Sequence, residues 1–157
     1  MIAYVTIGTN NMERATKFYN ALLAEVDPGI KVLMDAGRIK LWGKPGSPNL
    51  AVCTPFDGKG ASVGNGVMVA LAADSPAKVD AIYKKALELG GTDEGAPGRR
   101  GGDKGPYIGY FRDLDGNKLN AICMKYVGLS HIDRLALYVR RSAASPLLQQ
   151  EEGKRDT

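Results

Sequence analysis

Residues 3–26 read AYVTIGTNNMERATKFYNALLAEV, and 64 residues further on, residues 67–90 read VMVALAADSPAKVDAIYKKALELG. Laid over one another without a gap, the stretches share a pattern and few letters. A pattern repeated at one fixed spacing constrains a chain strongly, because each copy must build the same supersecondary unit. In the first copy Ala3 to Ile7 reads as a strand, and Gly8-Thr9-Asn10-Asn11 as a turn with a helix cap available. Met12, Ala15, Phe18, Tyr19, Leu22 and Leu23 then recur at helical spacing until Asp27-Pro28-Gly29. In the second copy Val67 to Leu71 is the strand, and Asp74-Ser75-Pro76 is a cap with proline at the helix start. Val79, Ile82, Tyr83, Ala86 and Leu87 form its stripe, and Gly90-Gly91 ends it.

The segments after the two helices match as well. Extended segments are expected near Lys31–Met34, Arg38–Trp42 and Leu50–Cys53 in the first half. In the second half a loop leads to Tyr107–Arg112, the turn Asp113–Gly116 and Lys118–Met124. The expected division is residues 1–56 for the first module, 57–65 for a linker, 66–125 for the second module and 126–157 for a C-terminal extension. In that extension Ser130 can cap a helix over 131–143 with Ile132, Leu135, Ala136 and Val139 on one face.

The 157 residues suit one compact domain or two small modules sharing a core. Neither a membrane-length apolar run nor a signal peptide is visible, so a cytoplasmic protein that does not enter a membrane is expected. Without a secretory context Cys53 and Cys123 are expected as free thiols rather than a bridge. The net charge of +4 invites a nucleic-acid partner. The basic residues are scattered, however, and no nucleic-acid-reading motif is present, so none is expected.

Three local stretches, MERATKFYNALL, GGTDEGAPG and FRDLDGNKLNAIC, together with the doubled strand-helix-strands order, resemble the vicinal oxygen chelate superfamily. Its members include glyoxalase I, extradiol dioxygenases and bleomycin-resistance proteins, and the resemblance covers residues 1–125. It implies an α+β fold: two βαβββ modules forming a cupped, mostly antiparallel sheet around a central cleft, with the C-terminal helical extension after them. It also implies a homodimer.

Members that do chemistry hold a divalent metal in the cleft through His, His and Glu, often with a fourth ligand. Carried over residue by residue, those positions fall on Tyr4, Met68 and Asn120, with the optional fourth on or within one residue of Ala51. A neutral phenol, a soft thioether, a neutral amide and a methyl group are poor partners for a hard cation. The one histidine, His131, lies outside both modules. No metal and no other cofactor is therefore expected.

Tyr4, Met68 and Asn120 are expected to converge on a cleft, with Trp42 and Tyr107 as neighbouring aromatics. If the Asp113–Gly116 turn pairs Arg112 with Asn117, then Tyr107, Gly109 and Phe111 share the Asn120 face. A slip of one residue substitutes Ile108 and Tyr110. Two arrangements stay open: an aromatic-walled pocket, or a core plugged by Tyr4 and Met68 with Asn120 paired to the tyrosine hydroxyl. The loop at 95–107 reads either as a lid bringing Arg99, Arg100 and Lys104 to an anion or as a solvated connection. DLDGN at 113–117 reads as a hairpin turn, not a calcium loop.

No nucleophile–base pair is visible in the modules. The functional expectation is a metal-free, glyoxalase-like or bleomycin-resistance-like protein that binds a small aromatic or amphipathic molecule. The alternative is a lyase, isomerase or dioxygenase-like enzyme of that superfamily with altered or metal-independent chemistry, marked by an acid or base of perturbed pKa in the cleft.

Overall fold

The structure, a computed structural model, describes residues 2–124. The first half is β1 (Tyr4–Gly8), α1 (Met12–Val26), β2 (Lys31–Asp35), β3 (Ile39–Gly43) and β4 (Asn49–Cys53). The second is β5 (Val69–Ala72), α2 (Pro76–Glu88), β6 (Thr92–Arg99), β7 (Tyr107–Arg112) and β8 (Lys118–Cys123). Both helices start as the sequence predicts. Asn11 Oδ1 accepts from the Arg14 amide at 2.9 Å, and Ser75 Oγ accepts from the Lys78 amide at 3.2 Å, each satisfying one of the amides a helix start leaves free.

Each half forms its own four-stranded sheet, ordered β1-β4-β3-β2 and β5-β8-β7-β6. The first strand of each runs parallel to the last, and the remaining pairs are antiparallel. The registers superpose the halves. Thr6 pairs with Ala51 where Ala70 pairs with Asn120, and Trp42 pairs with Leu50 where Phe111 pairs with Leu119. The repeat is thus present in hydrogen bonding as well as in sequence pattern, and the fold is the α+β pair of βαβββ modules. The expected helix over 131–143 lies outside the described residues.

One apolar core unites both halves. Phe18, Tyr19, Leu22 and Leu23 of α1, Val79, Ile82 and Ala86 of α2, and Trp42, Val52, Phe111 and Leu119 of the sheets are all buried within it. A polar seam adds direction. Asp115 accepts from Thr9 Oγ1 at 2.6 Å, the Asn10 amide at 2.9 Å and Arg14 Nη2 at 2.9 Å. Asn117 Nδ2 donates to the Gly8 carbonyl at 2.8 Å. Asp113, buried, takes the Tyr19 hydroxyl at 2.6 Å and the backbone amides of Asp115 and Asn117 at 2.9 and 2.8 Å. The DLDGN carboxylates are therefore committed to the turn and to the other module, and Gly116 supplies the positive φ of 86° that the turn needs.

Two details depart from the sequence reading. The segment expected as a loop before Tyr107 contains a strand, β6, over Thr92–Arg99. It lies at the sheet edge, with register shifts around Gly95, and an edge is where Gly and Pro are tolerated. The β7–β8 connection is also one residue longer than the pairing assumed for the aromatic face, since Arg112 pairs with Lys118 and not with Asn117. That shift reverses which side chains share a face.

Candidate functional site

Alternation along a strand assigns each side chain to one of two faces. In the second sheet one face meets α2. The Tyr107 hydroxyl donates to Asp80 of that helix at 3.0 Å. A Cβ on Gly109 would lie 3.3 Å from the Tyr83 Cβ, and Phe111 is fully buried. The opposite face therefore carries Tyr110 and Arg112 on β7 and Lys118 and Asn120 on β8, with Tyr110 directly opposite Asn120 and Arg112 opposite Lys118. Ala70 of β5 pairs with Asn120 on its other side and is exposed.

Met68 joins this face from just before β5. Asn120 Nδ2 donates to its sulfur at 3.6 Å, while the Met68 side chain is itself largely exposed. Asn120 Oδ1 is buried and has no hydrogen-bond partner. A cavity of about 480 Å³ opens here, walled by the linker from Val63 to Val67 and by Met68, Arg112 and Lys118.

Of the six residues expected at the site, the structure brings Met68 and Asn120 into contact. Tyr4 stands on the equivalent exposed position of the first sheet, 54% accessible, and makes no hydrogen bond to Asn120. A core plugged through a Tyr4–Asn120 pair is therefore not what forms. Trp42, Tyr107 and Phe111 lie on the face opposite Asn120. The two aromatics Trp42 and Phe111 are buried at equivalent positions on the helix-side face, and Tyr107 shares that face through Asp80. Trp42 is tied to α1 by its indole N–H, 2.8 Å from Asn20 Oδ1. It borders a separate cleft of about 660 Å³ at the end of α1, which Met68 also reaches. The aromatic on the Asn120 face is Tyr110, the residue a one-step slip selects.

Electrostatics concentrates on the same patch. The two Glu94 oxygens receive Arg112 Nε and Lys118 Nζ, the latter at 3.1 Å. The Arg112 bond first and the Lys118 bond second hold the Glu94 carboxyl below its ordinary pKa, so it stays charged. Lys118 Nζ and the Arg100 guanidinium each lie 5.6 Å from the Tyr110 ring centre, within cation–π range. The loop arginines are partly committed to backbone: Arg99 Nη1 to the Gly105 carbonyl at 2.9 Å and Arg100 Nη2 to that of Ala96 at 2.8 Å. Sequence pattern alone does not mark Arg112 and Lys118, because they flank the turn as ordinary charged residues. The hairpin register is the signal that finds them.

Among the described residues no three of His, Cys, Asp and Glu lie close enough to hold a metal ion. At Tyr4, Met68, Asn120 and Ala51, the positions onto which the sequence resemblance carries the metal ligands, stand a phenol, a thioether, an amide and a methyl group, and the amide nitrogen is turned to sulfur. Such a donor set is a poor match for a hard divalent cation. Also among these residues, no helix is long and apolar enough to cross a membrane.

The architecture agrees with comparison to known proteins. The family model for the glyoxalase/bleomycin resistance protein/dioxygenase superfamily matches residues 1–121. The chain belongs to that superfamily. A glyoxalase/bleomycin resistance protein from Albidiferax ferrireducens T118 is 35% identical, with a TM-score of 0.70 over 78% of this chain and 97% of its own. A glyoxalase-related enzyme from Fulvimarina pelagi shares the fold at 19% identity and a TM-score of 0.61, covering 78% and 86% of the two chains. The lactoylglutathione lyase from Agrobacterium tumefaciens shares it at 20% identity and 0.56, covering 78% and 92%. No curated protein matches the sequence.

Proposed function

We propose that the chain is a small-molecule-binding protein of this superfamily, that its site is the Asn120 face of the second sheet, and that it binds without a divalent metal. The observation that carries this is Asn120 Oδ1, a buried acceptor with no partner, on a side chain that touches Met68 in the wall of an open cavity. An unpaired buried acceptor costs about 1–3 kcal/mol, a penalty that binding a hydrogen-bond donor removes. Met68 next to it is a deformable thioether, suited to opening and repacking around a guest. The donor chemistry described above supports the metal-free part. The protein acts as a homodimer, in keeping with the apolar side chains left exposed on the first sheet, Tyr4 at one edge and Leu33 and Met34 at the other.

A fragment screen of the full chain by amide-resolved NMR tests the location. Hits are expected to move the amides of residues 63–67 and 118–120 together. Hits confined to the Trp42 cleft, or none at either place, would overturn this assignment.

A further inference from the structure

Resting on that reading of the site, we propose that this face selects a small organic anion that also bears a hydroxyl or N–H donor. The acidic group lies between Arg112 and Lys118, and the donor reaches Asn120 Oδ1. Two directly paired positions define the patch, Arg112 with Lys118 and Tyr110 with Asn120. They are one two-residue step apart along the strands, roughly 6.5–7 Å. The acid and the donor of the ligand are therefore held apart by about the width of a benzene ring with its substituents, and the Tyr110 ring lies alongside that span.

Charge sets the sign of the ligand. Arg112 and Lys118 share a single carboxylate, Glu94, and so leave one net positive charge, to which Arg100 adds another beside the Tyr110 ring. An incoming carboxylate, phosphate or phosphonate competes with Glu94 for N–H donors already aimed at an anion. Asn120 sets the other end. Its oxygen is a buried acceptor without a partner, while an N–H meets the Met68 sulfur, so the ligand group that satisfies the oxygen must be a donor. Met68 covers Asn120 yet is 44% exposed, and rotation of its flexible side chain admits the donor.

The screen is therefore built from matched sets such as 4-hydroxybenzoate, 4-methoxybenzoate, 4-hydroxybenzyl alcohol and 4-hydroxybenzylamine, with phosphonates alongside the carboxylates. Acids with a donor are expected to bind at residues 118–120 at least tenfold more tightly than their neutral or cationic counterparts, with affinity falling as salt rises. Glu94→Gln, which leaves both cations unshared, raises affinity for acids several-fold and leaves neutral fragments unchanged. Asn120→Leu abolishes the preference for hydroxyl over methoxy acids. Should Asn120→Leu fail to fold, the surface variant Glu94→Gln still decides. Neutral or cationic fragments binding the face as well as acids do, or a Glu94→Gln protein indifferent to charge, would overturn the ligand class while leaving the site standing. An absence of every class from the face overturns the site and the ligand class together.

Discussion

Replacing Phe111 by alanine lowers the free energy of unfolding by about 3–5 kcal/mol, as expected for a large aromatic removed from a closed core. Trp42→Ala falls in the same range. Each ring is almost wholly buried on the helix-side face, opposite Leu119 and Leu50 respectively. Trp42 also packs tilted against Tyr19 at 5.9 Å between ring centres. Tyr4→Ala, on an exposed position, changes stability by less than about 1 kcal/mol. Urea denaturation of the three variants checks the face assignment. A mild loss for Phe111→Ala with impaired ligand binding would return that residue to the cleft.

Asp113→Ala is expected to cost about 3 kcal/mol, because it leaves the buried Tyr19 hydroxyl and two backbone amides without their acceptor. Tyr19→Phe costs less, since it removes the stranded donor along with the bond. The pair of single variants and the double variant measure how tightly the two halves are coupled. Burial first, and the Asp113 charge second, push the Tyr19 hydroxyl pKa well above its ordinary range. A group whose pKa rises on folding contributes stability that is complete below its unfolded value, near ~10 for tyrosine, and is lost as the pH climbs from there toward the folded value. Wild-type protein therefore loses more stability above pH ~10 than Tyr19→Phe does. Equal alkaline losses in the two would show that Tyr19 stays accessible to hydroxide in the folded state.

Much of the fold was legible because local signals agreed with one another. The caps at Asn11 and Ser75, the helical stripes, and the 64-residue spacing each pointed to the same doubled unit. Strand β6 was hidden because Gly95, Pro97 and Gly98 carry no strand preference, and its place at the sheet edge made them tolerable. At the site, Asn120 could be placed only through the superfamily resemblance, and Met68 through that resemblance and its 64-residue spacing from Tyr4. The aromatic wall could not. A single residue in the length of the Asp113–Asn117 connection decides whether Phe111 or Tyr110 faces Asn120, and hydrophobicity does not distinguish the two outcomes. Arg112 and Lys118 became visible as one patch only after the hairpin set them opposite each other.

The most direct measurement is native mass spectrometry of the full chain titrated in turn with Zn, Mn, Ni and Fe(II), on wild type and on Asn120→Ala. A donor set of phenol, thioether and amide predicts no stoichiometric tightly held ion, in wild type or in Asn120→Ala. One metal per site in wild type, weakened by Asn120→Ala, would contradict the metal-free reading and place a metal centre on the face assigned here to an organic anion.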